Sequence, residues 1–178
     1  MIMPRVIAML ALGLLVPVSG CAAGGAATAI GCAGTAVAAA KDAKTIALTV
    51  KSAKGSHAFA VEIAATEEAQ QRGLMFRTDI PVDGGMLFFP YPPEGGAPRE
   101  ASFWMKNTPT ALDIIYIRPD NTIATIAENT VPFSEMPIPS GAPVCAVLEI
   151  RGGRSAELGI VEGDSVSWAS QPQAKTAP

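Results

Sequence analysis

Apolar and polar residues alternate in short runs along most of the chain from residue 45 onward. Residues 45–52 and 57–65 alternate with a period of two and are rich in β-branched side chains. The segment Ala53-Lys54-Gly55-Ser56 between them is typical of a tight turn. Period-two alternation on both sides of a turn predicts a β-hairpin at the start of the ordered region.

Two short helical segments interrupt this strand pattern. Thr66 is a suitable N-cap, Glu67 and Glu68 follow it where the helix dipole favours acidic residues, and Gly73 is suited to a left-handed C-cap. Residues 155–158 predict a second helical turn that ends at Gly159. Neither segment is long enough to organise an α-helical domain.

The rest of the ordered region predicts further strands. These lie at 85–89, 102–108, 112–117, 122–127, 144–150 and 165–168, with the second and third bent around Asn107-Thr108-Pro109. Two proline-rich stretches, 91–98 and 132–143, predict long loops. The expected fold is therefore mostly β, a β-sandwich or barrel-like sheet that is largely antiparallel, with one or two short helices.

Composition refines this picture. The chain has 178 residues, with 17 glycines and 15 prolines, which favours many short strands over long helices. Its net charge is −3 and it has no basic stripe, so nucleic acid is not an expected partner. We expect a single β-rich domain over residues 44–169, followed by a disordered polar tail at 170–178.

The N-terminus has the pattern of an export signal. Residues 1–20 combine a positive Arg5 with an apolar run from 6 to 18, and small residues then precede Cys21. This order predicts a lipoprotein-type signal peptide with Cys21 lipidated. The protein is then expected to be exported to the cell envelope or periplasm and anchored to a membrane by its lipid. Ordinary cleavage near residues 38–40 is the alternative. Residues 21–43, rich in Ala and Gly, predict a flexible tether.

Two cysteines remain once Cys21 is set aside. A disulfide between Cys32 and Cys145 is one arrangement in an oxidising compartment, although a flexible tether is a poor place for it. We instead expect Cys145 to be a buried free thiol that packs as a small apolar side chain.

The chain concentrates its unusual chemistry between residues 102 and 117. We single out seven candidate ligand-binding residues, which combine an aromatic face, positive charges, hydrogen-bonding groups and one acceptor: Arg72, Arg77, Trp104, Lys106, Asn107, Thr108 and Asp113. Such a set suits a sugar or small polar metabolite. The competing interpretation is an internal ion-pair network in which Lys106 or an arginine neutralises Asp113.

Catalysis and metal binding have less support in the sequence. The single histidine, His57, lies away from every motif, so a Ser-His-Asp triad would depend on one unsupported position. Asp113 and Glu149 could form a carboxylate pair only if both face one cleft, and Glu149 could equally face solvent or pair with Arg151. Methionines 75, 86, 105 and 136 could bind Cu(I), but most lie in apolar runs typical of a core. We predict no metal and no cofactor, and no catalytic residue is identified.

Four segments together resemble one known family. They are Arg72-Gly-Leu-Met-Phe-Arg77, Gly85-Met-Leu-Phe88, Phe103-Trp-Met-Lys-Asn-Thr108 with Leu112-Asp113, and Val147-Leu-Glu149 followed by Gly159-Ile160 and Gly163-Asp164. In order and spacing they resemble the prokaryotic domain of unknown function 192 (DUF192), over roughly residues 45–168. The resemblance implies a compact β-sandwich or barrel, commonly exported, and no established activity. The chain departs from the family pattern in a Gly/Pro-rich insertion before Glu100.

Three functional hypotheses follow from these patterns. The first is an envelope-anchored domain that binds a small polar ligand, such as a sugar, at the seven candidate residues. The second is a carboxylate-dependent hydrolase acting on envelope glycans. The third is a structural module that docks another envelope protein and has no small ligand.

Overall fold

The computed structural model describes residues 45–169. Over this range the chain forms nine strands and two short helices. In chain order they are β1 (Thr45–Ser52), β2 (Gly55–Ala64), α1 (Glu67–Arg72), β3 (Gly84–Phe88), β4 (Arg99–Phe103), β5 (Leu112–Ile117), β6 (Ile123–Ala127), β7 (Ile138–Val144), β8 (Ala146–Arg151), α2 (Arg154–Leu158) and β9 (Ser165–Trp168). The predicted mostly β fold with two short helices is confirmed.

Seven of these strands form one sheet that curls into a half-barrel. Their order is β6-β5-β8-β3-β2-β1-β9, and every neighbouring pair is antiparallel except β2 with β3. Strands β4 and β7 pair separately as an antiparallel ribbon. The two end strands of the large sheet meet at a bridge between Thr122 and Ser165.

The large sheet has a hydrophobic core on each face. The core within the curl includes Leu48, Val61, Leu148 and Trp168. The second core lies on the opposite face and includes residues of the ribbon such as Ala101 and Val144. Because β5 and β8 contribute side chains to both cores, these two strands are apolar along nearly their whole length.

The predicted hairpin and both predicted helices form. β1 and β2 pair from Thr45 with Glu62 to Ser52 with Gly55. Thr66 caps α1, since its Oγ1 accepts a hydrogen bond from the Ala69 amide at 3.2 Å. Local turn and capping chemistry was sufficient to identify these elements.

Three local expectations were wrong. The strand expected to continue past Phe103 ends there, because the Trp104–Thr108 segment turns away from the ribbon. The expected loop at 132–143 instead contains β7, an edge strand, in which prolines are tolerated. Cys145 is disulfide-bonded, not a free thiol. The predictions for residues 1–44 and 170–178 lie outside the described residues.

Candidate functional site

A cleft of about 860 Å³ opens over the ribbon side of the large sheet. Most of its lining comes from four segments: α1 with the turn after it, the insertion around residues 91–94, strand β4, and the turn at 104–108. Strand β8 contributes one residue, Glu149. We call this space the cleft below.

Glu149 is a buried acid in the cleft lining. It lies on β8 with Met86 and Ile114 as its partners on the two neighbouring strands, and its side chain points to the same face as Val147. The residue is 5% exposed, and its Oε2 has no hydrogen-bond partner within the described range. Burial raises the pKa of the Glu149 carboxyl to about 8. The carboxyl is therefore largely protonated at neutral pH and can donate a hydrogen bond.

Aromatic rings lie beside Glu149. Phe88 and Phe103 meet edge to face with centroids 5.0 Å apart, and Tyr91 lies 6.1 Å from Phe103. Tyr116 packs on Phe103 from the core side, and its hydroxyl donates a hydrogen bond to the carbonyl of Ile138. Burial, followed by the charge of Glu149, raises the pKa of Tyr116, so this phenol stays neutral. The inner part of the cleft is thus apolar apart from the acid.

Trp104 and Lys106 lie on the 104–108 turn that forms one wall of the cleft. Trp104 is 47% exposed, and the Lys106 Nζ lies 5.0 Å from the centre of its ring. Asn107 takes a left-handed backbone conformation with φ of 54°, which Asn tolerates better than most residues. The Thr108 hydroxyl donates to the carbonyl of Lys106 at 3.1 Å. This turn therefore presents a ring and a cation at the cleft.

The helix side of the cleft supplies both charge and amide groups. Arg72 ends α1 and, among residues 45–169, forms no ion pair. Gln70 donates through Nε2 to the carbonyls of Ala64 and Pro90, at 3.0 and 2.7 Å. These bonds fix its orientation, and no described residue forms a hydrogen bond with its buried Oε1. Gln70 and Glu149 are thus lining residues that each have a buried polar atom without a partner among residues 45–169.

The structure brings five of the seven candidate residues together. The cleft is lined by Arg72, Trp104, Lys106, Asn107 and Thr108. Arg77 lies elsewhere, in a smaller recess of about 140 Å³. Its Nε is 2.8 Å from Asp79 and its Nη1 is 3.1 Å from Glu62, and the bond to Asp79, then that to Glu62, raises the pKa of Arg77. Arg77 is thus already paired within the chain.

Asp113 is the other candidate outside the cleft. Its carboxylate is fully buried and accepts hydrogen bonds from the backbone amides of Asn129, Gly153 and Ser155 at 2.7, 2.8 and 2.7 Å. Those amides belong to the loop after β6 and to the start of α2, so Asp113 fastens both to the sheet. Within the described range no ion pair joins it to Lys106, and the ion-pair network considered as an alternative does not form there.

Other candidate chemistries find little geometric support. His57 lies in the β1–β2 hairpin, where its Nε2 is 3.0 Å from the Ser52 hydroxyl, and it does not line the cleft. Met105 is buried and its sulfur accepts a hydrogen bond from the Thr130 hydroxyl at 3.1 Å. In the part of the chain that the structure describes, no group of three or more His, Cys, Asp or Glu residues could hold a metal ion.

Sequence reasoning missed two parts of the lining. The insertion before Glu100 was identified as irregular, yet it supplies Tyr91 and Glu94 to the cleft. An aromatic ring placed among prolines was the available signal. Glu149 was considered as a partner of Asp113 or Arg151 or as a residue facing solvent, whereas it is buried by itself. A lone acid in an otherwise apolar strand was the signal for it.

Comparisons with known proteins give one family match. The model of the DUF192 family, described as an uncharacterized ACR, matches residues 48–168. A crystal structure of a protein of unknown function from Novosphingobium aromaticivorans DSM 12444 is similar, with 43% identity and a TM-score of 0.66 over 82% of this chain and 100% of the other. A crystal structure from Sinorhizobium meliloti 1021, described as a "putative transcription regulator", has 39% identity and a TM-score of 0.65 over 70% of this chain and 94% of the other. No curated protein matches the chain.

Proposed function

The chain belongs to the DUF192 family, and we propose that it is an envelope-anchored domain that binds a small polar ligand, such as a sugar or polar metabolite, in the cleft. The observation that carries this proposal is the buried carboxyl of Glu149, which lines an open cleft although no residue between 45 and 169 forms a hydrogen bond with its Oε2. A polar group of a ligand in the cleft would give the Glu149 carboxyl a hydrogen-bond partner.

The energetics of Glu149 favour a binding role over a purely structural one. A buried polar group without a partner costs roughly 1–3 kcal/mol of folding free energy. Leucine would fill a similar volume without that cost, and the neighbours Met86 and Ile114 are apolar. Asp113, by contrast, has every feature of a structural acid, because three backbone amides satisfy it. The two acids therefore have different roles.

The cleft also has the composition of a site for sugars and polar metabolites. Its aromatic side chains can pack against the apolar face of a ring, while Gln70, Asn107 and Glu149 can exchange hydrogen bonds with hydroxyl groups. Its volume of about 860 Å³ is within the usual range for small-molecule sites. These features support a preformed binding site.

The proposed location depends on residues outside the described range. We propose that lipidation of Cys21 anchors the domain to an envelope membrane, with residues 21–43 as the tether. Between residues 45 and 169, none of the helices is long and apolar enough to cross a membrane. Cys21→Ser is expected to release the protein from the membrane fraction, and retention of that variant would contradict anchoring.

The binding proposal is tested with a thermal-shift screen of the full chain against sugars, polar metabolites and metal ions. We expect at least one compound to raise the unfolding midpoint and to change the fluorescence of the exposed Trp104. Glu149→Leu should fold and lose both responses, whereas Arg77→Met, altered outside the cleft, should keep them. A wild-type chain that responds to nothing in the screen would overturn the proposal.

A further inference from the structure

Some charged side chains of the cleft form ion pairs and others do not. Arg99 forms an ion pair with Glu94 at 2.7 Å, and Glu67 accepts a hydrogen bond from Gln71 at 3.1 Å. Arg72 and Lys106 have no acidic partner among the residues that the structure describes. Outside the ion pairs formed between residues 45 and 169, the cleft lining therefore carries two cations, Arg72 and Lys106, and one exposed acid, Glu67, so its formal charge is positive.

Glu149 does not provide the missing negative charge. It is buried against apolar strands, Tyr116 is a neighbouring phenol, and no ion pair joins Glu149 to another residue between 45 and 169. The other charged groups in the lining are Glu67, Arg72, Glu94, Arg99 and Lys106. Because a buried carboxyl without a counter-charge stays neutral, Glu149 offers a hydrogen-bond donor where an ionised acid would offer only acceptors.

The cations Arg72 and Lys106 and the neutral carboxyl of Glu149 together indicate a class of ligand. Resting on the proposed function, we propose that the cleft binds an acidic sugar, a polyhydroxylated ring with a carboxylate group. One ligand oxygen accepts a hydrogen bond from the Glu149 carboxyl, and the ligand carboxylate lies against Lys106 and Arg72.

The other charge classes fit less well. An amino sugar would add another cation to a lining whose formal charge is already positive, and Glu149 would stabilise it only after that acid lost its proton. A neutral sugar could use Glu149 but would leave both cations, Arg72 and Lys106, without a partner. The preference for an anion should therefore appear as a ranking among sugars of one shape.

Three probes differ mainly in charge: D-glucuronate, D-glucose and D-glucosamine. Their affinities for the full chain are measured by isothermal titration calorimetry at about pH 6, where Glu149 is protonated. We expect D-glucuronate to bind at least about tenfold more tightly than D-glucose, the gain of one charge-assisted hydrogen bond, and D-glucosamine to bind most weakly. Lys106→Met and Arg72→Met should each reduce that preference, and Arg77→Met should not.

The Glu149 interaction has its own test. Binding of D-glucuronate should weaken between about pH 6 and pH 9, because ionised Glu149 cannot donate and repels the carboxylate. Glu149→Gln keeps a neutral donor that does not ionise, so its affinity should fall much less over the same range. An equal fall in both proteins would overturn the assigned role of Glu149.

Failure of this inference can be distinguished from failure of the proposed function. If D-glucose or D-glucosamine binds as tightly as D-glucuronate and Glu149→Leu abolishes that binding, the cleft is a binding site but not one for acidic sugars. If none of the three probes binds, the inference fails, and the wider screen decides the proposed function independently.

Discussion

Asp113 and Glu149 lie on adjacent antiparallel strands, yet their side chains point to opposite faces of the same sheet. Asp113 pairs with Ile150, and Ile114 pairs with Glu149. Side chains alternate along a strand, so Asp113 shares a face with Ile115 and Glu149 shares one with Val147. The two carboxyl groups therefore do not face a common cleft, as a glycosidase carboxylate pair must.

Asp113 should affect stability far more than binding. Asp113→Ala removes the acceptor for three backbone amides, and the loss should lower the free energy of unfolding by about 3 kcal/mol or more. Urea denaturation of the full chain measures this. Asp113→Asn is the matched control, since it keeps one acceptor and should cost less. Equal costs for the two variants would contradict the assigned role.

Glu149 should make the protein less stable as pH rises. Its pKa is raised from 4.5 to about 8 on folding, so between these values the unfolded chain binds fewer protons than the folded one. The free energy of unfolding is therefore highest below about pH 4.5 and falls by on the order of 5 kcal/mol as the pH rises to about 8.

This loss is measured by urea denaturation of the wild type and of Glu149→Gln across that pH range. The variant should show a smaller decline, because its side chain does not ionise. Parallel declines would mean that other groups cause the pH dependence.

Asn107 should be sensitive to substitution because of its backbone conformation. With φ at 54°, Asn107→Ala is expected to cost about 1 kcal/mol, whereas Asn107→Gly should be close to neutral. Thermal unfolding of both variants provides the comparison. If Asn107→Gly is destabilised as much as Asn107→Ala, the loss of stability is caused by the missing Asn side chain and not by the backbone conformation.

Lys106 should contribute little to stability. It is partly exposed and its main contact is the cation–π interaction with Trp104, worth about 0.5–1 kcal/mol. Lys106→Met should therefore change the free energy of unfolding by no more than about 1 kcal/mol, while still reducing acidic-sugar binding. A much larger loss in urea denaturation would assign Lys106 a structural role instead.

The parts of the fold that the sequence predicted depend on local chemistry. The β1–β2 hairpin follows from alternation on both sides of a turn, and α1 follows from the capping residue Thr66 and from Gly73. β7 was not predicted because its prolines argue against a strand. Prolines are tolerated there only because β7 lies at the edge of a two-stranded ribbon.

The candidate site was predicted where one segment carries it and missed where distant segments meet. Trp104, Lys106, Asn107 and Thr108 are consecutive or nearly so, and all line the cleft. Their clustering could be seen along the sequence. Glu149 and Tyr91 reach the cleft only through the pairing of β8 and the path of the insertion, and local patterns contain neither. Asp113 was grouped with Lys106 because the alternation of side chains along a strand does not show which face of the sheet borders the cleft.

The bridge between Thr122 and Ser165 affects how copies of this chain can associate when their local concentration is high. The first and last strands of the large sheet come together there, and further hydrogen bonds from Ile123 to Asp164 and from Val166 to Asn121 reinforce the seam. Backbone groups used across this seam are not available to pair with a second copy. The half-barrel thus protects these strand ends from the edge-to-edge addition by which exposed β-sheets aggregate.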